Sequence, residues 1–165
     1  MPKSQIAIVA LEVPPRAKMS NYFGPFRSMR AGRVKRSLGD LFGLTNFGGN
    51  ITVVAPCAVS ALRHAHLKQD EFVYVVSGCV VLYTDEGRTK LFGGICADFK
   101  AGDAEGHRCI NESTSEAVYA ELGGRAISDE VSYPLRAFSP APTKALGSSF
   151  TMTVNRMNGV VRTST

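Results

Sequence analysis

The sequence predicts an all-β protein, organised as a sandwich or a barrel of short strands. Runs rich in Val, Ile, Tyr, Phe and Thr recur at close intervals between Gly, Pro, Asn and Asp residues, whereas helical periodicity is scarce. The chain has 165 residues, of which 44% are hydrophobic and 20% are charged. This length suffices for one well-buried core, so we expect a single soluble domain, and the composition excludes a disordered or fibrous chain.

The predicted strands follow the apolar runs in chain order. They span residues 6–11, 50–54, 59–66, 71–76, 79–84, 89–92, 95–99, 107–111, 117–122 and 130–133. Asp85-Glu86-Gly87 is a turn between two of these strands. One short helix is predicted after Ser37, whose hydroxyl can cap the first turn while Asp40 lies at its positive end.

Three segments are expected within the one domain of residues 1–165. Residues 1–48 form an arm that wraps one side of the barrel, and residues 49–135 form the barrel itself. Asn158-Gly159, the strongest short-range signal for a hairpin, joins strands over residues 150–157 and 160–163. Because the prolines of residues 139–142 resist helix and central strand, residues 140–165 are expected to form an appended hairpin.

Charge and cysteine usage limit the classes of partner. Residues 1–36 carry eight Lys or Arg residues and one Glu, so the excess of positive charge belongs to the arm. The arm lacks a recognition motif, so we expect no nucleic-acid binding. No apolar run is long enough to span a membrane or to act as a signal peptide. The four cysteines form no C-x-x-C pair and are expected to be reduced thiols in a cytoplasmic protein.

The three histidines fall into two strand contexts. His64 and His66 are separated by one residue, which on a strand places both imidazoles on one face, about 6.5 to 7 Å apart. Glu71 opens the next predicted strand, and a tight connection would lay its carboxylate opposite the imidazoles. His107 begins another strand. These residue types in this arrangement point to a shared metal ion.

The histidine segments resemble the two motifs of the cupin superfamily of small β-barrels. The first motif, G-x5-H-x-H-x3-4-E-x6-G, is matched by His64, His66, Glu71 and Gly78, with Ala58 in place of the leading glycine. The second, G-x5-P-x-G-x2-H-x3-N, is matched by residues of a later segment. These are Gly94, Lys100 in place of proline, Gly102, His107 after a spacer of four instead of two, and Asn111. The departures fall on turn positions and leave the ligand positions intact.

The resemblance implies an antiparallel jelly-roll β-barrel that binds one divalent metal ion. Its ligands would be His64, His66, Glu71 and His107, with Asn111 as a packing or neighbouring residue. Residues 38–40, 43–48, 70–75 and 119–123 further resemble a branch of small bacterial single-domain cupins described as sugar phosphate isomerases. Three imidazoles and one carboxylate suit Fe, Mn, Ni or Zn, with Cu also compatible, and leave two octahedral positions for water or substrate.

Strand parity predicts a largely apolar cavity around the metal. Asn50, Tyr83 and Tyr119 are the candidate substrate contacts, each with core or edge packing as the alternative. Cys109 shares the face of His107 and is expected to be a buried structural thiol, and Asn111 either bonds a turn or contacts the site. A sugar phosphate would need inward Arg or Lys residues, which the predicted strands do not supply.

The function predicted is that of a metal-dependent enzyme acting on a small polar organic substrate, resembling a sugar phosphate isomerase. A metal-dependent dioxygenase and a non-catalytic small-molecule sensor are the alternatives. The outward positions of the strand at 71–76 are also apolar, namely Phe72, Tyr74 and Val76. We expect them to be covered by the segment at 6–11, by the C-terminal hairpin or by a second copy, which favours a homodimer.

Overall fold

A computed structural model of the chain describes residues 6–16 and 31–134, together with the backbone of residues 151–155 and 161–164. A 3-10 turn at Ala10–Glu12 comes first. It is followed by β1 (Arg33–Ser37), α1 (Leu38–Leu41), β2 (Phe47–Val54), β3 (Ala65–His66), β4 (Glu71–Ser77), β5 (Cys79–Tyr83), β6 (Arg88–Phe92), β7 (Cys96–Phe99), β8 (Arg108–Ile110), β9 (Ala117–Gly124), β10 (Glu130–Ser132), β11 (Thr151–Asn155) and β12 (Val161–Ser164).

The strands form antiparallel sheets that place a core between them. The largest sheet has the order β1-β2-β9-β4-β7, and it is accompanied by the sheets β12-β11-β10-β3 and β6-β5-β8. The core is built mainly from aliphatic side chains of facing strands, with one cysteine and one tyrosine. It contains Val54, Ala58, Val73, Val75, Val80, Leu82, Leu91, Cys109, Ala117 and Tyr119. The all-β jelly-roll class predicted from the sequence is therefore confirmed.

Register fixes which side chains enter the barrel. On β4, Glu71, Val73 and Val75 face inward, and Val73 and Val75 are buried in the core. Glu71 pairs with Gly123 and with Phe99, and Val73 pairs with Glu121. The mouth of the barrel therefore begins at the pair formed by Glu71 and Gly123.

The first predicted strand, at residues 6–11, is not a strand. The chain there enters the 3-10 turn at Ala10–Glu12, and Ile6 is 93% exposed. Pro14 and Pro15 have no amide hydrogen to donate, and the first bond toward β1 is donated by the backbone N–H of Arg16 to the carbonyl of Lys35 at 2.9 Å. The apolar run therefore lies before the point where the chain reaches a sheet.

The predicted strand at residues 59–66 is mostly a bulged segment. Only Ala65–His66 is a strand, and isolated bridges join Val59 to Ile110 and His64 to His107. Ser60 explains the interruption, because its hydroxyl accepts a hydrogen bond from the backbone N–H of Cys109 at 2.9 Å, where a ladder would use a carbonyl. Ser60 bonds to Cys109 and His64 bonds to His107, so residues 61–63 lie opposite the single residue Arg108 and the chain bulges there.

Sequence analysis missed β1 and misassigned Ser37. The helix after Ser37 exists, but Ser37 makes no capping bond, because it is the last residue of β1 and pairs with Asn50 on β2. The basic arm of residues 1–48 thus supplies the edge strand of the largest sheet. This strand carries Arg33 and Lys35 on the inward face, since Arg33 pairs with the core residue Val54 and Lys35 pairs with Thr52, which lies opposite the core residue Tyr119.

The C-terminal strands pair as a hairpin. β11 and β12 are antiparallel, with Val154 opposite Val161, and β11 also pairs with β10. The Asn158-Gly159 turn predicted to join them lies outside the described residues. Gly78, the motif glycine between β4 and β5, has a φ of 76°, and a Cβ there would lie 2.6 Å from the carbonyl oxygen of Glu116. Only glycine fits this turn.

The outer face of β4 is apolar and exposed in the described chain. Phe72, Tyr74 and Val76 are 37%, 42% and 51% exposed. The segment at residues 6–16 does not cover them, since they keep this exposure in its presence, and its own Ile6, Val9 and Leu11 are exposed as well. Among the described residues, no helix has the length and hydropathy of a membrane span.

Candidate metal centre

The three histidines meet inside the barrel. His64 lies in the bulged segment beside β3, His66 ends β3, and His107 lies opposite His64, with which it exchanges two backbone hydrogen bonds of 3.1 and 2.9 Å. The ring centroid of His64 lies 5.1 Å from that of His66 and 4.7 Å from that of His107. The predicted grouping of the imidazoles is thus observed, although the strand that carries two of them is only two residues long.

Glu71 places its carboxylate among the imidazoles. Its Oε2 atom lies 3.0 Å from Nε2 of His107, 3.5 Å from Nε2 of His64 and 3.7 Å from Nε2 of His66. The ligand atoms of His64, His66 and Glu71 all lie within 4.8 Å of one another, a group that can hold a metal ion. Neighbouring ligands of an ion with bonds of about 2.1 Å are about 3 Å apart, so small side-chain movements would close the set.

The opposite nitrogens of two imidazoles are held by acceptors. Nδ1 of His64 donates a hydrogen bond to the carbonyl of Leu62 at 2.9 Å, and Nδ1 of His66 donates to Oδ2 of Asp129 at 2.6 Å. A carbonyl can only accept, so Nδ1 carries the hydrogen of the neutral ring and Nε2 keeps its lone pair. Both Nε2 atoms face Glu71: a protonated ring donates its hydrogen to that carboxylate, whereas a neutral ring offers its lone pair to a metal ion. The donor set fits a divalent transition metal.

His107 is held differently. Its ring stacks on Phe99 with a centroid distance of 3.4 Å and an interplanar angle of 7°. Its Nδ1 atom is buried and has no hydrogen-bond partner among the described residues. Stacking on Phe99 and the contact of Nε2 with Glu71 therefore set the orientation of this imidazole, with no contribution from Nδ1 among the described residues.

Burial and mutual contact shift the titration of the group. Burial disfavours the charged form of Glu71, but hydrogen bonds from His107 and His64 outweigh it, so the pKa of Glu71 lies well below its usual range. Burial likewise opposes protonation of His64, yet Glu71 outweighs it and the pKa of His64 is raised. Burial lowers the pKa of His107. Glu71 is thus an anion that attracts a cation into the cluster.

The cluster opens into a cavity of about 110 Å³ at the barrel mouth. His66, Glu71 and His107 line its floor. Its wall and rim are formed by Ala65, Gln69, Asp98, Phe99, Lys100, Asp103 and Glu105. A shallower groove of about 470 Å³ adjoins it and shares Glu71, Phe99 and Lys100. A small molecule can therefore reach the Glu71 side of the cluster.

The predicted substrate contacts are scattered. Asn50 lies on β2, and its amide donates to Oε1 of Glu121 at 3.4 Å inside the barrel. Tyr119 is 2% exposed in the core, and burial raises its pKa well above the usual range. Tyr83 donates to Glu112, and its ring is covered by the guanidinium groups of Arg88 and Arg108. None of these three lines the cavity beside Glu71.

Asn111 bonds a turn and not the histidines. Its Nδ2 donates to the carbonyls of Val54 at 2.7 Å and Ser115 at 2.8 Å, and its Oδ1 accepts from the backbone N–H and hydroxyl of Ser113. These four bonds use both N–H donors and both acceptor positions of the Asn111 amide, which leaves none for the histidines. Cys109 is buried in the core beside it, where burial raises the pKa of its thiol to about 12. Both residues are structural, the second as predicted.

Several polar residues near the site were not predicted. Asp129 is 2% exposed, and besides His66 it accepts the backbone N–H of Lys68 at 2.9 Å. Lys35 forms an ion pair with Glu121 inside the barrel. In the sequence, Asp129 is an aspartate just before the short strand β10, and Glu121 is a glutamate in the alternating sequence of β9. Neither signal distinguishes an inward charge from a solvated one without the pairing of strands.

Comparison with known proteins identifies the fold family. A model of the cupin domain matches residues 50–123. The chain is similar to a sugar phosphate isomerase of the cupin superfamily from Silicibacter pomeroyi DSS-3, with 32% sequence identity, a TM-score of 0.73 and coverage of 87% of this chain and 84% of that chain. A protein of Acidithiobacillus ferrooxidans ATCC 23270, provisionally described as a sugar phosphate isomerase, is 27% identical with a TM-score of 0.65, covering 80% of this chain and 75% of that one.

A more distant neighbour shares the fold alone. The polyketide cyclase RemF from Streptomyces resistomycificus is 15% identical, with a TM-score of 0.60 and coverage of 74% of this chain and 80% of that chain. A search of curated proteins returns no significant match. The matched domain, the 32% identical relative and the histidine and glutamate cluster at the barrel mouth agree, and the chain belongs to the cupin superfamily.

Proposed function

We propose that the protein is a metal-dependent enzyme that isomerises a small polar substrate of the sugar phosphate class. The observation that carries the proposal is the convergence of three imidazole Nε2 atoms on Oε2 of Glu71, beside a cavity that admits a small molecule. His64, His66, Glu71 and His107 would hold one divalent ion, such as Fe, Mn, Ni or Zn. A cation held there acts as a Lewis acid toward a carbonyl oxygen.

The surroundings of the cluster favour this class of substrate. Phe99 gives the cavity an apolar wall, while Gln69 and the carboxylates of Asp98 and Glu105 can accept or exchange hydrogen bonds with hydroxyl groups. Among the described residues, Lys100 is the only lysine or arginine that lines the cavity or the adjoining groove. A hydroxylated molecule with one anionic end would therefore find partners for both parts.

Likeness to other proteins supports the same reaction class. The similar protein from Silicibacter pomeroyi is described as a sugar phosphate isomerase of the cupin superfamily, and that from Acidithiobacillus ferrooxidans is provisionally described as a sugar phosphate isomerase. The sequence analysis found no inward Lys or Arg on its predicted strands. On the strand that the sequence analysis missed, Lys35 is paired with Glu121 and Arg33 donates to the carbonyl of Ser60, and neither residue lines the cavity. The candidate for a phosphate contact among the described lining residues is therefore Lys100.

The test combines metal content with a substrate screen. Protein purified without added metal is analysed by plasma emission, and we expect about one divalent ion per chain, lost in a His64→Ala, His66→Ala variant. The holoprotein is then incubated with aldose and ketose phosphates, keto acids and diketones under air and under nitrogen, and products are followed by NMR. Isomerisation of a sugar phosphate under both gases supports the proposal.

Other results of this screen would contradict it. Consumption of oxygen with turnover only under air would assign a dioxygenase. Saturable binding of a compound with no turnover under any condition would assign a sensor. Unchanged metal content in the double variant would show that the ion lies elsewhere.

A further inference from the structure

The three imidazoles of the cluster differ in what holds the nitrogen that faces away from its centre. Nδ1 of His66 lies 2.6 Å from the buried carboxylate of Asp129, and Nδ1 of His64 lies 2.9 Å from the carbonyl oxygen of Leu62. Nδ1 of His107 is buried and has no partner among the described residues. The rings therefore grade from one held by a charge, through one held by a neutral carbonyl, to one without a hydrogen bond at Nδ1.

Binding of a cation would remove the contact between His107 and Glu71. Nε2 of His107 lies 3.0 Å from Oε2 of Glu71, and a hydrogen on Nε2 can join the two atoms. A ligating imidazole is neutral and offers its Nε2 lone pair to the ion, so its hydrogen moves to Nδ1. In the part of the chain that the structure describes, no acceptor reaches this buried N–H group, which costs free energy of desolvation.

The spacing of the ligand atoms also sets His107 apart. The ligand atoms of His64, His66 and Glu71 all lie within 4.8 Å of one another, and this group of three can hold an ion without the fourth residue. Two imidazoles and one carboxylate are a ligand set that binds divalent iron in other proteins. An ion can therefore stay in the cluster when His107 does not bind it.

Phe99 gives His107 the orientation that hydrogen bonds give the other two rings. It lies on β7, and its ring stacks on the imidazole with a centroid distance of 3.4 Å and an interplanar angle of 7°. Phe99 pairs with Glu71 on β4 and packs against the core, so its own position is fixed. The backbone of His107 is fixed by two hydrogen bonds exchanged with His64. The remaining freedom is rotation of the imidazole about its side-chain bonds, which the stack restricts.

We propose that His107 is the weakest-held of the four ligands and that Phe99 is its positioning residue; this rests on the proposed function, since it requires an ion at the cluster. A charged partner such as Asp129 contributes about 10- to 100-fold to metal affinity through the ring that it orients. An aromatic pair contributes about 2- to 12-fold to an equilibrium constant. The ligands therefore contribute unequally to holding the ion.

The test measures metal affinity and needs no substrate, because Phe99 also lines the cavity and its replacement could disturb a bound substrate. Zn²⁺ or Co²⁺ is added to the chelator-treated full chain in competition with a metal-binding dye. His107→Ala is compared with His66→Ala, and Phe99→Leu is made both in the wild type and in His107→Ala. Phe99→Tyr keeps the aromatic face. Phe92→Leu, at an exposed position of β6, is the matched control.

We expect the loss of metal affinity in His107→Ala to be smaller than that in His66→Ala by at least about tenfold. Phe99→Leu should weaken binding by about 3- to 10-fold, while Phe99→Tyr and Phe92→Leu stay within about twofold of the wild type. In the His107→Ala background, Phe99→Leu should cause no further loss, because the ring that it positions is gone. The visible spectrum of bound Co²⁺ should change in Phe99→Leu as it does in His107→Ala.

A second measurement tests the stack without any metal. In protein labelled with ¹³C at histidine, the ring current of Phe99 should move the ring-proton resonances of His107 upfield in the wild type and in Phe99→Tyr. The shift should be lost in Phe99→Leu. If that variant did not fold, the wild-type and Phe99→Tyr spectra would decide, since unshifted resonances would refute the stack.

Three outcomes of the affinity measurements would overturn the inference and leave the proposed function intact. These are unchanged metal affinity in Phe99→Leu, an equal loss from Phe99→Leu with and without His107, and a loss in His107→Ala as large as that in His66→Ala. The second would make Phe99 a packing residue of the barrel. If the wild type bound the ion but isomerised no sugar phosphate, the proposed function would fail while the order of the ligands stood. A wild type that bound no ion would overturn both.

Discussion

Nδ1 of His66 lies 2.6 Å from Oδ2 of Asp129, a residue 63 positions later in the chain. The contact depends on the pairing of β3 with β10, which places His66 opposite Val131. Asp129 is buried, and its second oxygen accepts the backbone N–H of Lys68. The carboxylate therefore fixes the ring orientation of His66 and increases the basicity of its Nε2 atom.

Asp129→Asn should weaken metal binding without removing a ligand. The amide can still accept from the imidazole, but it lacks the charge that strengthens Nε2 as a donor, so we expect a 10- to 100-fold loss of metal affinity. Competition with a metal-binding dye measures the affinity, and Glu130→Gln, at the exposed neighbouring position, is the control. Equal affinities for Asp129→Asn and the wild type would mean that His66 does not bind the ion.

Glu71→Gln should separate metal binding from folding. The barrel is held by burial of its apolar core, so the variant should remain folded by circular dichroism. We expect loss of most of the metal and of turnover, because the amide removes the negative charge at the centre of the cluster. Under the proposed function the ion is open to substrate and adds little to folding, so thermal melts of the wild type with and without chelator should differ by only a few degrees. A collapse of Tm on chelation would instead identify a closed structural ion.

The candidate ligands were predictable from their spacing, because His64, His66 and Glu71 lie within eight residues. The way they meet was not, since β3 pairs with β10 and β4 pairs with β7 and β9, so His66 and Glu71 come together from different sheets. His107 was predicted as the fourth ligand because its segment resembles the second cupin motif. The class of fold was equally accessible from the recurrence of short apolar runs between turn residues.

The residues that depend on long-range pairing were not predictable. Lys35 and Glu121 are 86 positions apart, and they meet only because β2 lies between β1 and β9. The segment of β1 is polar and basic, so its sequence resembles a solvated arm. Conversely, residues 6–11 are apolar but lie on the far side of two prolines from β1. An apolar run predicts a strand only where a sheet edge is within reach.

The cysteines should differ sharply in reactivity toward a thiol reagent. Burial raises the pKa of Cys109 to about 12, so at pH 8 only about 10⁻⁴ of it is thiolate, and raising the pH to 9 still leaves it protonated. Cys57 and Cys96 are exposed. Titration with Ellman's reagent at pH 8 should show these two reacting quickly and Cys109 only after denaturation. Rapid reaction in a Cys57→Ser, Cys96→Ser, Cys79→Ser variant would show that the core opens readily.

The exposed outer face of β4 predicts a homodimer. Phe72, Tyr74 and Val76 form an apolar strip that a soluble monomer would rarely leave uncovered, and a second copy of the same sheet is complementary to it. Light scattering should give twice the monomer mass. Tyr74→Glu should shift the protein toward the monomer, whereas Glu86→Lys in the distant β5–β6 turn should not. A monomer at working concentration for the wild type would refute the dimer.

Lys100 should determine the preference for a phosphorylated substrate. In the described part of the chain it is the only lysine or arginine that lines the cavity and the adjoining groove, and it follows Phe99, which stacks on His107. A charge-assisted hydrogen bond to phosphate contributes about 1.5 to 3 kcal/mol, so Lys100→Ala should raise KM for the phosphorylated substrate by about 10- to 100-fold. The effect on kcat should be small, because the lysine lies at the mouth and the reacting carbon lies beside Glu71.

Lys90→Ala, on the exposed face of β6, is the matched control for Lys100→Ala. The decisive comparison is the ratio of KM values for a sugar phosphate and its unphosphorylated parent: if Lys100→Ala leaves this ratio unchanged, phosphate recognition must be assigned to other cations, with Arg33 and Lys35 on β1 the next to be replaced.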